Sequence, residues 1–463
     1  MKIQDTLRSA EQELEITSKI RIYLCGVTVY DDSHIGHART IIVFDVLRRY
    51  LENKGVQVHF IQNFTDVDDK IINKAKTENA TANQISSKYI DNYFRDFDSL
   101  NVKRATAYPK ATEHITDIQE FIKKLIASGI AYVSQNGVYF SVAKFPEYGK
   151  LSKKNIDELQ SGARIEVDKN KQDPLDFALW KFSNEEPIWD SPWGKGRPGW
   201  HIECSAMSIK YLGENFEIHG GGRDLIFPHH ENEIAQSESF TTKQFAKIWM
   251  HVGMVTINGE KMSKSLGNIK TIKHVLQNWG ANVIRLFCLS GHYSKPIDYT
   301  EELLRENLVK WRQIEMCHYE LIHSELGNAE EAVDVKRWSN DFDSALESDL
   351  NTHLALTAFF TLVKETNRLA AEGKLGTDTT NKIKTEMERM MNILGLKIPN
   401  ITSKEKEKVD EMITRREKLR REKQFQEADK IRDKLNDMNI ELIDHKGRTI
   451  WVRKERINAE SNH

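Results

Sequence analysis

His34, Ile35, Gly36 and His37 stand between an alternating strand pattern and a helical one. At the start of such a helix, free N–H groups and a partial positive charge favour anions. Two imidazoles there can donate to phosphate oxygens as charge builds on them, and Gly36 lets a flat base approach the backbone. A pair of surface histidines capping a helix fits the same four residues. A second group, Lys261-Met262-Ser263-Lys264-Ser265-Leu266-Gly267-Asn268, sets two lysines among small residues. These are mobile point charges suited to clamping and releasing a triphosphate, or else a solvated basic loop. A third set is Cys25, Cys204, His229 and Glu233. His229 and Glu233 are four residues apart and share a helix face, and two thiolates, an imidazole and a carboxylate make a four-ligand zinc set. No CxxC pair is present, so the spacing also leaves room for buried cysteines with a packing role only.

The elements that must position these groups follow from periodicity. Ile20–Leu24 alternates as a strand, Ala38–Lys54 carries Ile42, Val46, Leu47, Tyr50 and Leu51 at helical spacing, and Val56–Phe60 reads as a second strand after Gly55. Strand, helix, strand is a βαβ unit and predicts a parallel sheet of α/β class. Residues 66–195 are mixed, with one short strand at Val138–Val142 and the tryptophans Trp180, Trp189, Trp193 and Trp200 in or just beyond them. They read as an insertion. The α/β pattern returns at Phe216–His219, runs through Gly220, Gly221 and Gly222 to a helix starting near Pro228, and adds a strand at Ala246–Val252. From about 281 to 395 the spacing is helical, Leu396–Asn400 is a linker, and 401–463 opens with a charged helix and closes with a hairpin, Ile440–Asp444 and Thr449–Arg453. The expected division is 1–280 (insertion at 66–195), 281–398 and 401–463.

Bulk properties narrow the function classes. The 463 residues carry a formal charge of −2 and are 39% hydrophobic and 29% charged. No global basic excess marks a nucleic-acid binder, although basic side chains can still be grouped locally. No apolar stretch reaches bilayer length, Met1-Lys2-Ile3-Gln4-Asp5 opens no secretory signal, and the four cysteines are too scattered for a disulfide framework. A cytoplasmic, membrane-free enzyme is expected. No GxGxxG follows a strand, which argues against a nicotinamide or flavin enzyme.

Together these motifs resemble those of class I aminoacyl-tRNA synthetases, and specifically the bacterial-type cysteinyl-tRNA synthetase family. The resemblance extends to Tyr23–Tyr30, Asn63–Lys70, Gly199–Ser205, His219–Leu225 with Pro228–Glu233, and the C-terminal Ile443–Trp451. It implies a Rossmann-like catalytic domain with an insertion, a helical bundle, and a small mixed C-terminal domain that binds the anticodon. It implies cysteine activation by ATP, with Mg2+ on the phosphates, and transfer to tRNA(Cys) by a monomer. One Zn2+ would be held by Cys25, Cys204, His229 and Glu233, with His201, His219 and His230 around it. His34, Gly36, His37, Asp224 and Lys264 would bind ATP, with His34, His37, Lys261 and Lys264 catalytic. Gly26, Thr65 and Trp200 would line the cysteine pocket, and Arg432, Asp444, Arg448 and Trp451 would meet tRNA. One departure is His292-Tyr293-Ser294-Lys295-Pro296, where family members often read His-Tyr-Arg-Ser-Pro. Two other readings remain: a cysteine ligase acting on a small amine, as in mycothiol synthesis, which would not need residues 401–463, and a non-catalytic tRNA-binding paralogue, which would not need the catalytic motifs. A zinc hydrolase fits less well, because four protein ligands leave no place for an activated water.

Overall fold

The computed structural model describes residues 1–154, 170–262, 266–323, 333–399, 402–445 and 448–453. At the N-terminus β1 (Lys2–Asp5) and β2 (Ala10–Glu13) form a hairpin too short and polar for periodicity to reveal. The first βαβ unit follows: β3 (Lys19–Thr28), α1 (Ile35–Asn53) and β4 (Gln57–Thr65). Helix α1 begins three residues before the apolar spacing does, because His34 caps it from extended backbone. Strand β4 runs five residues past its expected end: Ile61, Gln62, Asn63, Phe64 and Thr65 are all buried. A parallel strand covered on both faces carries no polar alternation to mark its length.

Helices α2 (Asp69–Glu78), α3 (Ala82–Ser99) and α4 (Ile115–Ala127) lead into strands β5 (Ala131–Ser134), β6 (Gly137–Phe140), β7 (Phe177–Phe182) and β8 (Gly196–Pro198). These four strands form an antiparallel sheet in chain order. The stretch expected as one insertion divides between two cores. Ile71, Ala75, Ile85, Tyr89, Tyr93 and Phe97 of α2 and α3 join the core under α1, whereas α4 and the antiparallel sheet build a second core. Amphipathic helices must bury their apolar stripe somewhere, and for α2 and α3 that place is the parallel-sheet core.

Next come α5 (Trp200–Leu212), β9 (Phe216–Gly222), α6 (Glu231–Thr241) and β10 (Ala246–Val252). The parallel sheet has the order β10-β9-β3-β4. The N-terminal hairpin docks on its edge, where Thr6 N donates to Trp249 O (2.9 Å) and Asp5 accepts from Trp249 N (2.9 Å). Short strands β11 (Val255–Ile257) and β12 (Glu260–Lys261) form a hairpin, followed by α7 (Ile272–Trp279), α8 (Ala281–Leu289) and β13 (Ile297–Asp298). Helices α9 (Glu301–His323), α10 (Val335–Glu347), α11 (Thr352–Glu372) and α12 (Thr377–Leu394) pack together beyond them.

The last unit has α13 (Ser403–Arg421), α14 (Phe425–Asp437) and the hairpin of β14 (Ile440–His445) and β15 (Arg448–Arg453). Its core gathers Val409, Ile413, Leu435, Ile440, Leu442 and Trp451 around Tyr319 of α9. This corrects the expectation that Trp451 meets tRNA, because its side chain is taken up by the core. The indole is 4% exposed, packs on Tyr319 and donates Nε1–H to Asp410 (3.0 Å). A tryptophan facing the helices of a small hairpin domain supplies more apolar area than any other side chain there, and the fold uses it as core.

Candidate functional site

The carboxyl ends of β3, β4, β9 and β10 converge where an open parallel sheet binds ligands. The pairing of β3 with β4 slips between Leu24 and Val27, so that Cys25 and Gly26 sit in an irregularity. Gly26 N donates to Asn63 Oδ1 (2.8 Å), and a Cβ at Gly26 would overlap the Asn63 carbonyl. Gly26 is therefore required by close approach of two backbones. Gly26→Ala is expected to force the strands apart and cost about 1–3 kcal/mol, read as a lower urea midpoint; an unchanged midpoint would contradict this packing.

Cys25 Sγ lies 3.2 Å from Glu233 Oε1, 3.6 Å from His229 Nε2, 3.3 Å from His230 Nε2 and 3.4 Å from His219 Nε2. His229 Nε2 is 3.0 Å from Glu233 Oε1, as their spacing on α6 predicts. Ligand atoms of Cys25, His229, His230 and Glu233 all lie within 4.8 Å of one another, and all four residues are buried. Cys204, from α5, is buried beside Cys25 and His229, which act on its charge, and sits 3.6 Å from Asn63 Oδ1. Three of the four expected ligands, Cys25, His229 and Glu233, thus meet at one point, with His230 closer to Cys25 than His229 is, and Cys204 stands beside them. Around them His201 Nδ1 is 2.9 Å from His229 Nδ1, and His230 Nδ1 is 2.7 Å from His251 Nε2.

The start of α6 is held from outside the cluster. Buried Glu231 accepts from the backbone N–H groups of Gly149 (2.9 Å), Leu151 (3.3 Å) and Ser152 (2.7 Å), which fixes the helix against the second core.

The electrostatics separate the donors. The hydrogen bond from Cys25 draws the Cys204 thiol down to about 6 against the burial that opposes it, whereas burial and that same neighbour push Cys25 well up. Burial disfavours charge on His229, yet Glu233 and Cys204 raise it to about 10. Burial also opposes ionisation of Glu233, but His219 and His229 hold it well below the carboxylate range. Burial lowers His201 and His230 and takes His251 to about 3. Glu233 Oε2 lies 3.3 Å from His219 Nε2 without a well-aligned hydrogen bond, and His219 Nδ1 has no hydrogen-bond partner. A buried set of thiols, imidazoles and a carboxylate with polar atoms left over is costly alone and fits a metal ion.

His251, Asn63 and Glu203 escaped the sequence reading. Glu203 is 1% exposed and accepts from Thr65 Oγ1 (3.0 Å), and burial followed by the nearby Cys204 raises its pKa well above the ordinary value. Position at or near the carboxyl end of a parallel strand was the available signal for His251 and Asn63. Trp200, 37% exposed, lies over His229 with ring centroids 4.4 Å apart.

On the other side of β3, His34 Nδ1 accepts from Gly36 N (3.2 Å) and His37 N (3.4 Å), while His37 Nδ1 accepts from His34 N (3.4 Å). The two rings stack 3.7 Å apart. The capping role is therefore real and falls on the Nδ1 atoms. His37 keeps part of its surface exposed, yet the atoms around its ring, then His34, push its pKa well below the ordinary value. A Cβ at Gly36 would come within 3.0 Å of the His34 ring and 3.2 Å of Met262 Cε. Lys261 is exposed at the end of the β11–β12 hairpin, and Lys264 lies outside the described residues. Asp224 is exposed, and Gly222 leaves space its Cβ would take from that carboxylate. Arg432 is exposed on α14, and Asp444 and Arg448 lie on β14 and β15, in register with Thr449 and His445.

Residues 12–309 match the class I (C) tRNA synthetase catalytic domain, and residues 341–398 match the DALR domain. The chain is 48% identical to the cysteine–tRNA ligase of Thermodesulfovibrio yellowstonii, over 98% of its own length and 100% of that protein's. The chain belongs to the cysteine–tRNA ligase family. A cysteine–tRNA ligase of Aquifex aeolicus is 44% identical over 98% of this chain and 99% of that one. Among solved structures, Mycobacterium tuberculosis methionyl-tRNA synthetase in complex with methionyl-adenylate aligns with a TM-score of 0.60 at 15% identity, over 82% of this chain and 90% of that chain. The ternary complex of Agrobacterium radiobacter K84 LeuRS with tRNA and LeuAMS aligns at 0.62 and 10% identity, over 82% and 84%. These two establish the shared class I architecture. In this cysteine–tRNA ligase the DALR match falls on α10, α11 and α12, and no helix among the described residues is long and apolar enough to cross a membrane.

Proposed function

We propose that this cysteine–tRNA ligase activates cysteine with ATP and charges tRNA(Cys), selecting its amino acid at a zinc site formed by Cys25, Cys204, His229 and Glu233. The observation that carries the reading is the buried thiol, imidazole and carboxylate cluster at the carboxyl ends of the strands, one strand from the capped histidines. Bound there, zinc would supply a preference for a soft thiolate over the hard hydroxyl of serine.

The protein's own groups do the rest. Gly26, Thr65 and Trp200 border the cluster and would hold the substrate's backbone atoms. Gly36 would take the adenine side and Asp224 the ribose. His34 and His37 would face the phosphates, with Mg2+ carried in on ATP. Lys261, joined by Lys264, would offset the charge of departing pyrophosphate as the cysteine carboxylate attacks the α-phosphorus, a reaction that depends on positioning and charge. Residues 281–398 and 401–463 would carry tRNA, with Arg432, Asp444 and Arg448 towards the anticodon. The presence of a folded unit over residues 402–453, with its own small core against Tyr319 of α9, favours tRNA over a small amine as acceptor, and a monomer working in the cytoplasm suffices for all of this.

Total tRNA charged with labelled cysteine and ATP, with serine in parallel, tests the reading. An RNase-sensitive product from cysteine alone, lost after chelator dialysis and restored by zinc, is the expected result. Cysteine-dependent pyrophosphate exchange without charging would favour the small-amine ligase, and charging that survives complete metal removal would end the zinc proposal.

A further inference from the structure

Arg39 is 0% exposed, in the second turn of α1, two residues after His37. A buried guanidinium ordinarily has a carboxylate beside it. Among the described residues Arg39 has none within ion-pair distance. Its partners are three carbonyls: Nη1 donates to Gly253 O (3.0 Å) and Met254 O (3.1 Å), and Nη2 to His292 O (3.1 Å). Nε has no partner, and burial lowers the side chain to about 10. A charge kept in such surroundings needs a reason beyond stability.

The three carbonyls identify one. Gly253 and Met254 form the turn from β10 into β11, and His292 opens the segment that returns to pair with β11 as β13. The two loops are also joined to each other: Gly253 N donates to Tyr293 O (2.8 Å), Ile297 N to Met254 O (3.0 Å), and a Cβ at Gly253 would overlap the Lys295 carbonyl. From this base rises the β11–β12 hairpin, with Thr256 opposite Lys261, and Met262 reaches back to the Gly36 position on α1. Helix α1 therefore touches the hairpin twice, at its base through Arg39 and beyond its end at Gly36.

We propose that Arg39 is a positioning residue that holds the base of the Lys261 hairpin to the helix bearing His34 and His37, so that the two phosphate-binding groups arrive in one register. The proposal rests on the reading of those groups as the ATP site. A planar fork explains the choice of residue: it spans carbonyls on two loops, whereas a lysine of equal charge offers one point.

The test uses the full-length enzyme with Arg39→Lys, and Gly253→Ala as a second variant that disturbs the same base from the loop side, through the Lys295 carbonyl, and leaves the guanidinium in place. Hydrogen–deuterium exchange at residues 254–262 is read first, with the strands of the parallel sheet as internal control. Cysteine-dependent ATP–pyrophosphate exchange is read second. Both variants are expected to speed amide exchange in the hairpin by about tenfold or more, leave the sheet unchanged, and lower the exchange kcat by about tenfold with the KM for cysteine unmoved. Unchanged hairpin protection overturns the proposal whatever the activity, including in an enzyme that proved not to use ATP. A loosened hairpin with kcat intact overturns it too. An equal rise in sheet exchange assigns Arg39 a general structural role and overturns it as well.

Discussion

Replacing Cys204 with serine is expected to lower cysteine-dependent ATP–pyrophosphate exchange by more than about 100-fold while moving the KM for ATP by less than about threefold. Cys204 is buried and is the thiol that its neighbours draw down to about 6, so it is the group best prepared to be a thiolate ligand at neutral pH. A serine hydroxyl in its place stays protonated and offers a hard oxygen. Nothing in the substitution touches the histidine cap at the start of α1, which lies across β3, so nucleotide binding should survive. The structure also sharpens the comparison to be made. His230 Nε2 stands 3.3 Å from Cys25 Sγ, so that Cys25, His229, His230 and Glu233 form a rival ligand set without Cys204. His230 is already held through Nδ1 by His251, an arrangement suited to supporting a site from behind. Metal content of Cys204→Ser against His230→Gln separates the two: loss of zinc with serine and retention with glutamine is expected. Retention in Cys204→Ser with activation within a few-fold of wild type would sink both the ligand assignment and the selection argument.

The parts of this site that were legible in sequence share one property: each has a local pattern. His229 and Glu233 are an i, i+4 pair, and Ala246–Val252 is a short apolar run whose observed bounds are the expected ones. What was illegible depends on tertiary contact. Asn63 and His251 are polar residues near the carboxyl ends of buried strands, with no spacing to mark them, and only the fold reveals that one accepts from Gly26 N while the other hydrogen-bonds with His230. Glu203 sits one residue from Cys204 and becomes meaningful only when β4 brings Thr65 to it. The start of α1 falls three residues before its apolar spacing, because the first turn, Ile35–His37, is set by the His34 cap and not by an apolar stripe. Trp451, which the family resemblance set among the tRNA contacts, is core for a reason that is also tertiary: α13, α14 and Tyr319 close over it.

Arg285→Met is expected to destabilise the enzyme by about 3–5 kcal/mol, the cost typical of breaking a buried ion pair on one side. Arg285 is fully buried and bonded to Asp45 of α1 at 2.7 Å. It also donates to Leu394 O (2.9 Å) and Leu100 O (3.0 Å), which lie at the ends of α12 and α3. Those carbonyls have no later turn to bond with, so the guanidinium does the work of a cap for two helices at once. Burial lowers its pKa, and Asp45 opposes that. Asp45 keeps Arg49 at 2.8 Å and Lys103 N at 3.0 Å after the substitution, which places the loss toward the lower end of the range. Gly395, at φ +69°, is the complement of this arrangement, because a Cβ there would overlap the guanidinium. The first transition in a urea titration should therefore move down in Arg285→Met, and Asp45→Asn added to it should cost less than it does alone, since the two share one interaction and only the bonds of Asp45 to Arg49 and Lys103 N remain to be lost. A shift below about 1 kcal/mol, or full additivity of the pair, would show that the contact contributes little. Because His34 caps α1 and α12 leads through residues 396–399 toward the C-terminal unit, the same pair ties the helix that would face ATP in the proposed function to the helices through which bound tRNA would be felt. A loosened pair should consequently slow tRNA charging more than pyrophosphate exchange at temperatures where the fold remains intact.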